Sequence, residues 1–119
     1  MVISLRLCII INGKKVCGIL TELSAEAEKV DWVIIGIGLN VNHQGFPDEI
    51  RDIATSVRLE ANSGRPVDRS RLAAEIINTF ERIYDEFKEN GSDPVIAQWK
   101  KYNLTLGKKV RLISPDGLC

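Results

Sequence analysis

Lys14 and Lys15 follow an Asn12-Gly13 pair and lead into the apolar run Val16-Cys17-Gly18-Ile19-Leu20. A lysine at the mouth of a buried strand can lay its stem on apolar surface and hold its ammonium over a pocket. Such a charge suits a carboxylate or a phosphate; the alternative is a pair of solvated turn lysines. Gly18 lies inside the run, where glycine weakens a strand. It marks either close approach of a ligand or backbone, or a bulge or tight packing. Further on, Gly36-Ile37-Gly38-Leu39-Asn40 puts two side-chain-free positions on one face of an extended segment. That face has room for a flat ring or a crossing chain. Asn40 has the same parity and offers both a donor and an acceptor. The alternative is a glycine-rich strand packed under a helix, with Asn40 closing a turn. The spacing is not the dinucleotide fingerprint, which needs a third glycine and a following helix. Glu22 can orient a lysine or sit in solvent. No Ser-His-Asp, Cys-His or paired-carboxylate arrangement occurs, and the one histidine, His43, has no ligand-spaced neighbours, so no metal site is expected.

The elements that must position these residues are readable from pattern. Asn-Gly between apolar runs is a hairpin signal, because both residues tolerate positive φ. It joins a strand over Ile3–Asn12 to one over Lys15–Leu23. In the second strand Val16, Gly18 and Leu20 fall on one face and Cys17 and Ile19 on the other, so both faces are expected to be at least partly covered. Ser24–Asp31 reads as a loop or helical turn, and Trp32–Val41 as a third strand of an antiparallel meander. Pro47 can open a short helix through Ile53, while Ala54–Leu59 is either helical or extended. Asp68 is a good N-cap for a helix ending near Asn90-Gly91, with Leu72, Ile76, Phe80, Ile83 and Phe87 recurring at three- and four-residue steps. Ile76 and Phe80 are expected to pack on the sheet. A short helix over Pro94–Tyr102 and a strand over Lys108–Ser114 complete the α/β pattern: an antiparallel-rich sheet covered by helices.

The 119 residues allow one domain of modest stability. Sixteen basic side chains balance sixteen acidic ones, so no basic field draws in nucleic acid. No apolar run reaches the roughly 18 residues that span a bilayer, and the first residues lack the pattern of a signal peptide. Cys8, Cys17 and Cys119 form no CxxC pair. Cys8 and Cys17, each in an apolar run, read as reduced, buried thiols of a cytoplasmic protein.

The string from Asn12 to Glu22, NGKKVCGILTE, is similar to the NGKKVxGILxE segment of biotin protein ligases. Val33 to Asn42, VIIGIGLNVN, resembles their VIGIGxNVN segment. The interval between the two fits. So do Phe46-Pro47, Ala54-Thr55-Ser56-Val57, the Asp68-capped helix, Trp99, and the run from Leu104 to Val110. The resemblance implies a class II synthetase-like catalytic domain over residues 1–103 and the start of an SH3-like β-barrel over 104–119. It implies a two-step reaction: biotin and ATP, with Mg2+, give biotinyl-5'-AMP, and the biotin then passes to a lysine of a carboxylase's biotin carboxyl carrier domain. It implies that Lys15 meets the biotin carboxylate and the adenylate phosphate, as the catalytic residue. Gly18 and Ile19 then border biotin, and Asn40 lies near the adenine.

The departures also carry expectations. The family's arginine-rich GRGRxGR loop does not occur, and the place of its KWPND motif reads Ile3-Ser4-Leu5-Arg6-Leu7-Cys8. With the final strand lacking a mate, the expectation is a ligase fragment cut at both ends and inactive alone. The rival is a non-catalytic module that binds biotin or an adenylate weakly, or that forms a homodimer through an exposed sheet edge.

Overall fold

The structure, a computed structural model, describes residues 2–26, 29–61 and 64–110. It forms two compact units, Met1–Leu72 and Ala73–Cys119. In the first unit Asn12 (φ 50°) and Gly13 (φ 79°) make the tight turn that the Asn-Gly pair predicts. The turn joins β1 (Val2–Ile11) to β2 (Lys14–Glu26), and β3 (Lys29–Leu39) follows on the other side of β2. All pairs are antiparallel, in the order β1-β2-β3. Of the stretch Ser24–Asp31, expected as a loop or helical turn, the described residues instead extend the ladder: Ala25 pairs with Val30 and Glu26 with Lys29. Its polar composition is compatible with a strand end because these residues sit at the rim of the sheet.

One register shift matters for the site. Ile9 pairs with Cys17 but Ile10 pairs with Lys15, so Val16 is an extra residue with no partner on β1. This is a β-bulge. Beyond it the alternation is regular. Cys8, Gly18 and Gly38 lie in one cross-strand row, and Arg6, Leu20 and Gly36 in the next row of the same face. Leu7, Ile19 and Ile37 form a row on the opposite face, as do Leu5, Thr21 and Ile35.

The expectation that both faces are covered is not met: Leu5 is 55% exposed and Ile37 50%. Apolar alternation says which face seeks cover; it does not say what supplies it. Among the described residues the buried set is small and lies at the bulged end: Val16, Cys17, Thr55 and Ser56. Cys8 is exposed while Cys17 is buried, and both are free thiols. The expected burial of Cys8 is not met, since an apolar run marks a surface that can be covered and does not itself supply the cover.

Residues after Pro47 make successive turns rather than a helix, with Ile50 N–H donating to Pro47 C=O (3.0 Å) and Ile53 N–H to Ile50 C=O (3.0 Å). The stretch left open as helical or extended is both. Ala54 bridges Lys15 in parallel, and α1 (Val57–Glu60) follows at once. Ser56 caps α1, its Oγ accepting from Leu59 N–H at 3.3 Å.

Helix α2 (Arg69–Asn90) has the extent that its periodicity predicts. Asp68 Oδ1 accepts from Arg71 N–H at 3.0 Å, and Gly91 (φ 75°) ends it. Its stripe is not buried as expected: no residue of α2 is buried, and Phe80 is 53% exposed. Phe80 and Tyr84 stack at 6.2 Å, and Tyr84 and Phe87 at 6.3 Å. Helix α3 (Asp93–Tyr102) carries Trp99, also exposed. Lys108–Val110 are not in a strand, and the rest of the strand expected there lies outside the described residues. No helix among the described residues is long and apolar enough to cross a membrane.

Candidate functional site

Plain alternation along β2 would put Lys15 on the face of Cys17 and Ile19, away from Gly18. The bulge at Val16 changes this phase. The Cε and Nζ atoms of Lys15 lie 3.5 Å from the point a Cβ at Gly18 would occupy. Any side chain there would take the space next to the ammonium. Lys14 goes the other way, its Nζ donating to the Arg51 carbonyl at 3.0 Å. The two adjacent lysines therefore serve different surroundings, and only Lys15 is free of that backbone anchor.

Lys15 and Gly18 line one open cavity of about 510 Å³ with Arg6, Cys8, Leu20, Gly36 and Gly38; Leu7, Ile19 and Ile37, whose row lies on the opposite face, also border it. Gly36 and Gly38 leave its floor bare, since a Cβ at either would meet only a carbonyl oxygen at 3.8 Å. The result is a mostly apolar trough with the cations Lys15 and Arg6 in its lining. It can take an apolar body with an anionic end. Arg6 escaped the sequence reasoning. Its signal was parity: Arg6 lies opposite Leu20, which lies opposite Gly36. Below the lysine, burial pushes the Cys17 thiol up, Cys8 adds to the rise, and Lys15 partly opposes it. Cys17, 1% exposed, is therefore a packed thiol.

Asn40 does not join this lining. Its backbone N–H donates to Val16 C=O (2.9 Å), and its side-chain amide donates to Thr55 C=O (3.2 Å). Asn42 is a second anchor: Nδ2 donates to Val67 C=O at 2.9 Å, and Oδ1 accepts from Val67 N–H at 2.8 Å. Thr55 joins several strands of this network. Its N–H donates to Lys15 C=O at 2.9 Å, while Lys15 N–H donates to Ile53 C=O at 2.8 Å. Thr55 Oγ1 donates to Glu60 Oε1 at 2.5 Å, and Asn12 Nδ2 donates to Glu60 Oε2 at 2.6 Å. These hydrogen bonds, that of Thr55 first and that of Asn12 second, hold the Glu60 carboxyl below the ordinary carboxylate value. Ser56 Oγ donates to His43 C=O at 2.6 Å. Sequence pattern could not find this corner, because its partners are up to 48 residues apart.

Comparison with known proteins finds biotin ligases among the relatives of this chain. The bifunctional ligase/repressor BirA of Bacillus spizizenii is 45% identical over 111 residues, which is 92% of this chain and 34% of that protein. The biotin--[acetyl-CoA-carboxylase] ligase of Mycobacterium tuberculosis is 30% identical over 109 residues, 92% of this chain and 37% of its own. The biotin--protein ligase of Homo sapiens is 25% identical over 104 residues, 87% of this chain and 14% of its own. In sequence the chain corresponds to part of a biotin protein ligase. It spans about a third of the length of the first of these relatives. No protein-family profile matches the chain, and no solved structure is similar to it at a significant level.

Proposed function

We propose that the trough is the biotin-binding part of a biotin protein ligase site, with Lys15 as its catalytic residue. The observation that carries this reading is the bulge that turns Lys15 onto the glycine face, where its ammonium stands beside Gly18 over an apolar cavity. Biotin has a matching shape, an apolar ring system and chain ending in a carboxylate. In the first step that carboxylate attacks the α-phosphorus of ATP, forming the acyl-phosphate bond and releasing pyrophosphate. Lys15 holds the carboxylate oxygen before attack and then neutralises the charge gathering at the phosphoryl oxygens. In the second step a lysine amine of a biotin carboxyl carrier domain attacks the acyl carbon, and AMP leaves.

Gly18 and Ile19 border the biotin chain. Asn40 borders the adenylate, its place fixed by its bonds to Val16 and Thr55. Arg6 adds a second cation on the trough. The fold belongs, on this reading, to the class II synthetase-like type over residues 1–103, with an SH3-like barrel beginning at 104, and the setting is cytoplasmic. Mg2+ would travel with the ATP phosphates. Among the described residues no three His, Cys, Asp or Glu side chains gather to hold a metal.

A second reading, binding without turnover, is favoured by the exposed odd-numbered face of the sheet, where Leu5 and Ile37 have no cover. A homodimer formed through the edge of β1 or β3 is the structural form of that reading.

Two measurements separate these. Titration with biotin by calorimetry should give binding that weakens about ten- to a hundredfold in Lys15→Gln, the loss of one charge-assisted hydrogen bond. Lys14→Gln should change little, because Lys14 is spent on Arg51. Equal effects of the two substitutions would sink the assignment of Lys15. Incubation with biotin, MgATP and a carrier domain then tests turnover: binding without labelled carrier supports the second reading.

A further inference from the structure

We propose that Thr55, held by Glu60, is the positioning residue that sets Lys15 over the trough and ties it to Asn40. This rests on the assignment of Lys15 to the trough. A bulge on an edge-side hairpin does not hold its own phase, because Val16 has no ladder partner on β1. Something else must fix the residues on either side. Both backbone groups of Lys15 are taken by one segment: N–H by Ile53 C=O and C=O by Thr55 N–H. The same Thr55 accepts the Asn40 amide on its carbonyl. One residue therefore bonds to the two positions that the biotin and adenylate ends of the site require.

Thr55 is 2% exposed, so each of its polar groups must find a partner inside the protein. Its hydroxyl finds Glu60 Oε1, and the other oxygen of that carboxylate takes the Asn12 amide of the hairpin turn. Glu60 thus clips the turn before Lys15 to the segment behind it. With Thr55 Oγ1 unsatisfied or Glu60 absent, the Ile53–Thr55 segment can move away from β2, and Lys15 loses both backbone anchors. The lysine would then follow the ordinary alternation of the strand and leave the Gly18 face.

The experiment uses the full chain and nuclear magnetic resonance, with no ligand. In the wild type a nuclear Overhauser contact between the Lys15 ε-methylene and the Gly18 α-protons is expected, together with slow amide exchange at Lys15 and Thr55. Thr55→Val should abolish the contact and speed Lys15 exchange by about tenfold, the effect of one lost hydrogen bond. Thr55→Ser should restore both. The amides of Glu22 and Ile34, at the far end of the sheet, should not change in either.

Retention of the contact and of Lys15 protection in Thr55→Val would overturn the proposal, as would equal acceleration at Glu22 and Ile34. Should Thr55→Val fail to fold, Glu60→Ala replaces it, with the same two outcomes read in the same way. Biotin titration of the same variants forms a separate arm. If the wild type binds biotin, affinity should fall about tenfold in Thr55→Val and return in Thr55→Ser. No binding by the wild type defeats the assignment of Lys15 to biotin and leaves the resonance test of its placement standing.

Discussion

The Lys15 corner and helix α2 are built by different means. At the corner, side chains and backbone groups far apart in sequence satisfy one another. Asn12 meets Glu60 across 48 residues, and Asn40 meets Thr55 across 15. Burial there is nearly complete at four residues, Val16, Cys17, Thr55 and Ser56. Along α2 the order is local. An N-cap, a regular apolar stripe and a terminal glycine make the helix, its aromatic side chains stack on one another, and no residue is buried. The difference teaches that a well-formed element and a well-packed one are separate achievements. Periodicity suffices for the first; the second needs partners that a local pattern does not name.

Substitution can sharpen this contrast. The largest effect is expected at Val16, which is 2% exposed. Val16→Asp puts a charge without a partner into the tightest part of the molecule and should cost roughly 3–5 kcal/mol, read as a shift of the urea midpoint at constant slope. A shift no larger than that of a surface change would mean that the bulge is not the packed centre described here.

The next effect is one of pH. Glu60 is held below its ordinary value of 4.5 by Thr55 and then Asn12. A carboxylate depressed in this way stabilises the folded protein in full above its unfolded value, and the contribution is lost as pH falls through the folded value. The unfolding midpoint should therefore fall as the solution is taken below about pH 4.5. Glu60→Ala should flatten that part of the profile. Parallel profiles for the two proteins would remove Glu60 from the account.

The smallest effect is expected on α2. Phe80 would cost about 3–5 kcal/mol on truncation if it were fully buried, but it is 53% exposed. Phe80→Ala should shift stability by less than about 1 kcal/mol. A loss as large as that of Val16→Asp would show that the stripe has cover in solution, and the contrast between the two regions would collapse.

The limits of legibility follow the same division. The Asn12-Gly13 turn, the three strands, α2 from its Asp68 cap and α3 were all readable, because each rests on residues close in sequence. Lys15, Gly18 and Ile19, expected as site residues, line one cavity. Alternation alone separates Lys15 from Gly18, and the bulge at Val16 joins them. Arg6 was missed because no hairpin register was drawn through β1. Thr55 stood only within the stretch matched by resemblance and Glu60 not at all, because a threonine and a glutamate around a short helix have no pattern of their own; what folds against them sets their bonds. The expected burial of Cys8 and Phe80 failed for a common reason: apolar residues mark a surface that can be covered, and the cover is a separate fact.

The extra residue at Val16 has a consequence for how this segment can vary. Between the turn at Asn12 and the glycine at 18, the constrained quantity is a count. Swapping Val16 for another apolar residue leaves the tally unchanged and keeps Lys15 above Gly18. Removing Val16 itself would restore regular pairing with Ile10 still opposite Lys15, and would leave Lys15 and Gly18 two positions apart on one face. A shorter, better-paired hairpin would then keep the lysine on its side, whereas regular pairing of all the present residues would not, so the extra residue and its bulge stand or fall together.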